Sequence, residues 1–381
     1  MTAGDLQDKT DASLTLPLST VGGSENDRVK LPYARSTRWQ FSSSSSASTR
    51  HPNRGLEAVL CRAIPLYALL AETTMAELII HDVGPRDGLQ IEKTTVPTEQ
   101  KIAWIDALIA SGVDIVQVGS FVHKEKVPQM ADTDALFTHY AQPDRKPART
   151  RLSGLVLNEK GMERAFACGV DYLCMGVSAS DTHSRKNTGM GTAEATDRIM
   201  AMATSARAAG ATVQVSVQSA FGCGFEGAVP EDRVLGIVQR FVGEGLLTIS
   251  LADTAGHANP EQVERMFTAV LALDPAIQCA CHLHDTYGFG LANAYAALRA
   301  GVRFFESAFA GLGGCPFTAV TGGNVCTEDF VHMLQRMGRR PDIQLDVLLE
   351  LARDAARFFG RDVPGRLWKT GPVPTIVRAA N

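Results

Sequence analysis

Two histidines one residue apart, in Cys281-His282-Leu283-His284-Asp285, are residues whose type and spacing could do chemistry. The run Ala276 to Cys281 leads into them as a buried strand, and Gly288 opens a helical pattern. Strand side chains alternate, so both imidazoles project from one face. They sit at the carboxyl end of the strand, where α/β folds hold their reactive groups. Paired imidazoles make half of a divalent-metal site. Alone, a His-x-His pair is as readily packing or surface as ligand. The remaining ligands must come from elsewhere in the chain.

Candidates stand at other strand ends. His81-Asp82-Val83-Gly84-Pro85-Arg86-Asp87-Gly88 closes the first strand in a turn, with Arg86 and Asp87 at its apex. They are either a solvated ion pair or a carboxylate ligand beside a fixed cation, and their place at a strand end favours the second. Gln117 lies among apolar neighbours, as a satisfied buried amide or as a hydrogen-bond partner of Arg86. Asp253-Thr254 forms another polar tip, which either meets substrate or caps a helix. Cys315 lies in the glycine-rich stretch Gly311 to Pro316, which reads as a mobile flap. There it is an inert thiol or a proton donor and acceptor carried over the site. Asn324, after Gly322-Gly323, is a turn residue or a carbonyl ligand. Asp87, His282, His284 and Asn324 together offer two nitrogens and two oxygens, leaving two octahedral positions for substrate oxygens. Such a set suits Mg²⁺ or Mn²⁺, and Zn²⁺ also fits.

For these residues to meet, the strand ends must share one face. From Met75 a βα rhythm runs to about residue 338. Strand candidates lie near 77–82, 114–119, 152–157, 171–177, 212–218, 246–252, 277–283 and 303–309. Helical patterns fall between them, from Glu99 to Ala110, Lys160 to Cys168, Ala193 to Ala209, Pro230 to Gly243, Pro260 to Leu273 and Leu291 to Ala300. Gly112, Gly169, Gly210 and Gly301 stand where helices end. Eight strands fit an α/β chain of the (β/α)8 TIM barrel class better than a doubly wound sheet, which has fewer strands and a glycine-rich first turn. Residues 344–359 add an amphipathic C-terminal helix, so the barrel domain is expected over 75–381.

Residues 1–74, with Ser42 to Ser46 and no sustained apolar period, read as a disordered or dispensable extension. The apolar run 56–71 is interrupted by Glu57, Arg62 and Pro65 and is too short for a membrane span. Asp5, Asp8 and Asp11 argue against a mitochondrial transit peptide. A net charge of -4 gives no reason to expect nucleic acid or an acidic membrane as partner. Eight cysteines without a CxxC pair read as reduced core thiols in a reducing, cytoplasmic compartment.

In order, these segments resemble the 3-hydroxy-3-methylglutaryl-CoA lyase family of metal-dependent barrel lyases, from about Leu78 to Leu334. The densest matches are Asp82 to Gln90, Ser120-Phe121-Val122, Val127 to Asp132, Asp253-Thr254, His282 to Gly288, and Gly311-Leu312-Gly313-Gly314-Cys315-Pro316. The last discriminates best, because the related isopropylmalate and citramalate synthases carry a different glycine loop and a further C-terminal region. The resemblance implies retro-Claisen cleavage of an acyl-CoA to acetyl-CoA and a keto acid. It implies that the metal chelates the substrate hydroxyl and distal carboxylate, that Arg86 stabilises an enolate, and that Asp87 joins in proton transfer. By the same resemblance Cys315 protonates the carbanion, Lys93 meets the CoA side, Gln117, Asp253 and Thr254 line the substrate, and the chain is a homo-oligomer, a dimer. One position departs: the family usually has glutamate where this chain has Gln117. Citramalyl-CoA and the condensing synthases stay open as alternatives.

Overall fold

The computed structural model describes residues 78–314 and 322–374. The expected N-terminal extension, the strand start at Met75 and Cys315 lie outside the described residues.

Eight parallel strands, each paired with its neighbours in sequence and the last with the first, close a barrel. They are β1 (Ile79–Asp82), β2 (Ile115–Ser120), β3 (Arg151–Leu155), β4 (Tyr172–Ser178), β5 (Thr212–Gln218), β6 (Thr248–Asp253), β7 (Gln278–Leu283) and β8 (Phe304–Ser307). The helices between them are α1 (Thr98–Ser111), α2 (Thr133–Tyr140), α3 (Glu159–Ala167), α4 (Asp181–Thr188), α5 (Thr192–Ala208), α6 (Glu231–Gly243), α7 (Pro260–Leu271) and α8 (Gly290–Ala300). α9 (Thr327–Arg336), α10 (Leu345–Phe359) and α11 (Leu367–Thr370) follow β8. The (β/α)8 TIM barrel expected from the strand rhythm is therefore the fold. β2 to β8 begin within two residues of their expected starts.

Two short helices escape the apolar period. α4 is polar throughout and forms because the Ser180 side chain accepts from the His183 amide at its start. α2 follows a single turn at Pro128–Met130, which the buried Lys101 holds through its ammonium to the Gln129 carbonyl (2.5 Å) and Asp132 (2.6 Å).

Strand alternation divides the core in two. Outward residues such as Ile80, Val116, Leu173, Val215, Leu251 and Cys281 pack under the helices. Inward residues Ile115, Tyr172 and Cys174, with Ile79 and Leu155, form a separate small cluster inside the barrel. Above it the inward positions turn polar, with His81, Gln117, Ser153, Gln214, His282 and Glu306 all buried. α10 buries Leu348, Leu349, Leu351, Ala352, Ala355 and Ala356 at helical spacing. It seals α1, where Trp104 meets Phe309 and Phe358 and donates to Asp354 (2.8 Å). At the opposite end Arg340 donates to the Leu78 carbonyl and to Asp114 (2.6 Å), tying the starts of β1 and β2 to the loop before α10.

Candidate active site

β7 delivers His282, and His284 follows one residue past its end in a bridge to Asn324, so both are buried and both face into the mouth of the barrel. Their ring orientations are fixed from outside. His284 Nδ1 lies 3.0 Å from the Thr254 carbonyl, which can only accept, so that nitrogen carries the hydrogen. His282 Nδ1 lies 2.8 Å from Glu306 Oε2. Each ring thus turns Nε2 inward, and the two Nε2 atoms face each other at 3.3 Å. Asp87 Oδ2 lies 3.8 Å from both.

Asp87 arrives from the other side of the mouth. Residues Gly84–Gly88 form a wide helical turn directly after β1, anchored by amides of Arg86, Asp87 and Gly88 on the Val83 carbonyl. Gly84 fits because its amide donates to Asp82 Oδ1 (2.8 Å) while Phe309 fills the space a side chain would need. Arg86 then bonds Asp87 Oδ1 through Nη1 and Gln117 through Nε. Burial alone would raise the Asp87 carboxyl. The Arg86 guanidinium and the two histidines outweigh it and hold the group well below the ordinary carboxylate range.

Asn324 joins through the backbone. Residues 323–325 run beside the end of β7, with Asp285 N donating to the Gly323 carbonyl (2.9 Å) and Val325 N to the Leu283 carbonyl (2.9 Å). The Asn324 amide nitrogen donates to Asp87 Oδ2 (2.9 Å) and to the Leu312 carbonyl (2.9 Å). Its Oδ1 is buried with no hydrogen-bond partner. Gly313, at φ 98, makes room: a Cβ there would stand 2.5 Å from the Asn324 amide nitrogen.

Two imidazole lone pairs facing each other beside an ionised carboxylate repel unless a cation lies among them, and Asn324 meets that carboxylate through its amide nitrogen while its Oδ1 has no partner. Asp87, His282 and His284 thus converge with donors that fit a divalent ion, and Asn324 adjoins them through its hydrogen bond to Asp87. Asp87, His282 and His284 also form a cluster whose ligating atoms all lie within 4.8 Å of one another.

The other expected residues divide. Gln117 and Thr254 line a cavity of about 720 Å³ that opens over the ligands. Thr254 also accepts from the Ser219 amide (2.8 Å) and orients His284. Asp253, expected on the substrate, is fully buried and turned away, with its carboxylate accepting from the amides of His257 (2.8 Å) and Ala258 (3.2 Å). It shapes the loop after β6 rather than capping a helix, since α7 is capped by Asn259; a buried carboxylate takes the nearest unpaired amides. Lys93 is exposed just beyond the first turn and is not among the residues lining the cavity.

Sequence reasoning missed Glu306. Its signal was a charged residue inside the apolar run of the last strand. Paired in register with His81 and His282, it accepts from His282 and from Gln214 Nε2, and Gln214 Oε1 accepts from Tyr172 (3.1 Å). Burial opposes its ionisation. The bond from His282 and the neighbouring positive charge prevail, pulling it down to about 2.

Comparison with known proteins agrees with this geometry. A family model described as HMGL-like matches residues 77–354. The chain is similar to hydroxymethylglutaryl-CoA lyase YngG of Bacillus subtilis, at 37% identity over 76% of this chain and 96% of that one. It is equally similar to (R)-citramalyl-CoA lyase of Chloroflexus aurantiacus, at 37% identity over 80% of this chain and 99% of that one. Among solved structures, an HMG-CoA lyase from Acinetobacter baumannii in complex with coenzyme A and 3-methylmalate superposes with a TM-score of 0.74 at 37% identity, covering 80% of this chain and 98% of that chain. A closed eight-stranded barrel, a His-x-His strand end facing an Arg-Asp turn, and a family match over most of the length lead to one conclusion: this chain belongs to the HMGL-like family of HMG-CoA lyases and their relatives.

Proposed function

We propose that the protein is a metal-dependent carbon–carbon lyase that cleaves 3-hydroxy-3-methylglutaryl-CoA to acetyl-CoA and acetoacetate. The observation that carries this reading is the convergence of Asp87, His282 and His284 beside Arg86, with Asn324 hydrogen-bonded to Asp87, at the open end of the barrel.

Asp87, His282, His284 and Asn324 would hold Mg²⁺ or Mn²⁺. The bound ion would supply Lewis acidity, lowering the pKa of the substrate's tertiary hydroxyl. Asp87, kept ionised by Arg86, is placed to take part in moving the hydroxyl proton. As that proton leaves, the C–O bond becomes a carbonyl and the adjacent C–C bond breaks. Its electron pair passes to the thioester as an enolate. Arg86, fixed by Gln117 and Asp87, directs guanidinium hydrogens at the enolate oxygen where charge develops. Cys315, in the glycine-rich stretch that follows Gly314, then donates a proton to the carbanion to give acetyl-CoA. Exposed Lys126 and Lys160 line the cavity and offer the charge that CoA phosphates need. A homodimer in a reducing, cytoplasmic setting completes the reading. Among the described residues, no helix is long and apolar enough to cross a membrane.

Citramalyl-CoA is a second substrate within the same reading, supported by the relative from Chloroflexus. The deciding experiment incubates metal-replete protein with each acyl-CoA and scores acetyl-CoA release, beside a third reaction of acetyl-CoA with a 2-oxo acid scored for free CoA. Release from 3-hydroxy-3-methylglutaryl-CoA supports the proposal. Release from citramalyl-CoA alone reassigns the substrate, and free CoA alone makes the protein a condensing synthase.

A further inference from the structure

The cavity floor contains a second buried carboxylate that the proposed chemistry does not use. Glu306 stands on β8, level with His282 on β7 and His81 on β1. Both its oxygens are committed. Oε2 takes the His282 Nδ1 hydrogen at 2.8 Å, and Oε1 takes a hydrogen from Gln214 Nε2. Gln214 is locked in turn, because its own Oε1 accepts from the Tyr172 hydroxyl at 3.1 Å. Tyr172 is packed in the inner apolar cluster, with Arg151 stacked over its ring at 4.6 Å. The hydrogen bonds therefore converge on the carboxylate: Tyr172 donates to Gln214, Gln214 donates to Glu306 Oε1, and the imidazole that faces Asp87 and His284 donates to Oε2 from the other side. Across the floor, among the described residues, Arg86 bonds the neutral Gln117 and the expected ligand Asp87, so Glu306 is the floor carboxylate that the expected ligand set does not use.

We propose that Glu306 is a positioning residue of the metal centre. The buried relay Tyr172, Gln214, Glu306 holds His282 with its hydrogen on Nδ1 and its Nε2 lone pair toward the ion. The carboxylate also supplies negative charge to the floor, where position 117 carries none. This rests on reading Asp87, His282, His284 and Asn324 as the ion's ligands, but not on the identity of the acyl-CoA. A carboxylate behind a ligating histidine fixes its tautomer and raises its basicity, and losing such a partner costs roughly 10–100-fold in metal affinity.

The test uses Mn²⁺ alone, with no substrate, on the full-length wild type, Glu306→Gln and Gln214→Met. Glu306→Gln keeps an acceptor for Nδ1 but removes the charge. Gln214→Met leaves the carboxylate and removes the donor that orients it. Two readouts are taken: the Mn²⁺ Kd by electron paramagnetic resonance, and the His282 tautomer from ¹⁵N shifts of the metal-free protein. The expected result for Glu306→Gln is a Kd raised about 10–100-fold with a shifted tautomer equilibrium and a retained melting transition. Gln214→Met moves both readouts in the same direction by a smaller factor. Wild-type Kd and tautomer in Glu306→Gln overturn the assignment. Should that variant not fold, Gln214→Met decides by the same criterion. Failure of the lyase reading would show separately, as wild type that binds Mn²⁺ tightly yet releases no acetyl-CoA.

Discussion

Arg86 spends Nη1 on Asp87 and Nε on Gln117, so its orientation is set before any substrate arrives. Preorganised donors of this kind are worth roughly 10²–10³ in kcat. Arg86→Met is therefore expected to lose about that factor while Mn²⁺ still binds; a kcat within twofold of wild type would remove the guanidinium from the chemistry. Gln117 accepts a neutral hydrogen bond where a glutamate would form an ion pair. Gln117→Glu should change the ratio of kcat/KM for 3-hydroxy-3-methylglutaryl-CoA over citramalyl-CoA, and an unaltered ratio contradicts a role in choosing the acyl group. Residue types made Asp87, His282, His284 and Asn324 legible as candidates, because few side chains ligate hard cations; the first three stand just at or after strand ends, while Asn324 lies in the segment between β8 and α9. Glu306 was not legible. Nothing in Phe304-Phe305-Glu306-Ser307 says which neighbour the carboxylate meets until β7 and β8 are in register. Asp253 misled for the opposite reason: a strand-end carboxylate looks reactive, while the amides that claim it come four and five residues later.

The elements act as brackets for those side chains. β7 and the residue just past its end present two histidines by simple alternation, and the turn at Gly84–Gly88 presents Arg86 and Asp87. The segment 323–325 that carries Asn324 is the less obvious bracket, because it depends on glycines packed against backbone. Gly313→Ala would strain a left-handed residue and push a methyl against the Asn324 amide. The expected outcome is a Mn²⁺ Kd raised several-fold with little change in melting temperature, read by calorimetry. Unchanged affinity would mean Asn324 does not ligate. At this scale the amphipathic helices and apolar strands showed clearly in the sequence. α4 did not, because eight polar residues carry no apolar period and only the Ser180 cap and contacts with α5 make them helical.

The closed barrel brings the candidate ligands Asp87 and Asn324, 237 residues apart, to one mouth, and it also buries ionisable groups far from water. Glu328, fully buried on α9, accepts from the Ala310 amide. Burial raises its carboxyl from 4.5 to about 8, and Asp82 rises to about 7 for the same reason. A folded-state acid with a raised pKa keeps a proton that the unfolded chain has released. Stability therefore falls as pH rises from the unfolded pKa through the folded one, and levels off above it. For Glu328 this window runs from 4.5 to about 8. Its share is on the order of 5 kcal/mol. Glu328→Gln should flatten that part of the profile in urea titrations, and an unaltered slope between pH 5 and pH 8 contradicts a buried neutral carboxyl there.

The central claim concerns the whole barrel: its mouth assembles a divalent-ion site that cleaves a carbon–carbon bond. The most direct measurement follows acetyl-CoA released from 3-hydroxy-3-methylglutaryl-CoA by wild type and His282→Ala, each stripped with chelator and then titrated with Mg²⁺ or Mn²⁺. The account predicts no turnover in stripped wild type, full recovery on adding the ion, and loss of at least about 10³-fold in His282→Ala, about 4 kcal/mol of transition-state stabilisation. Equal turnover in stripped and replete protein, or in the variant and wild type, would contradict it.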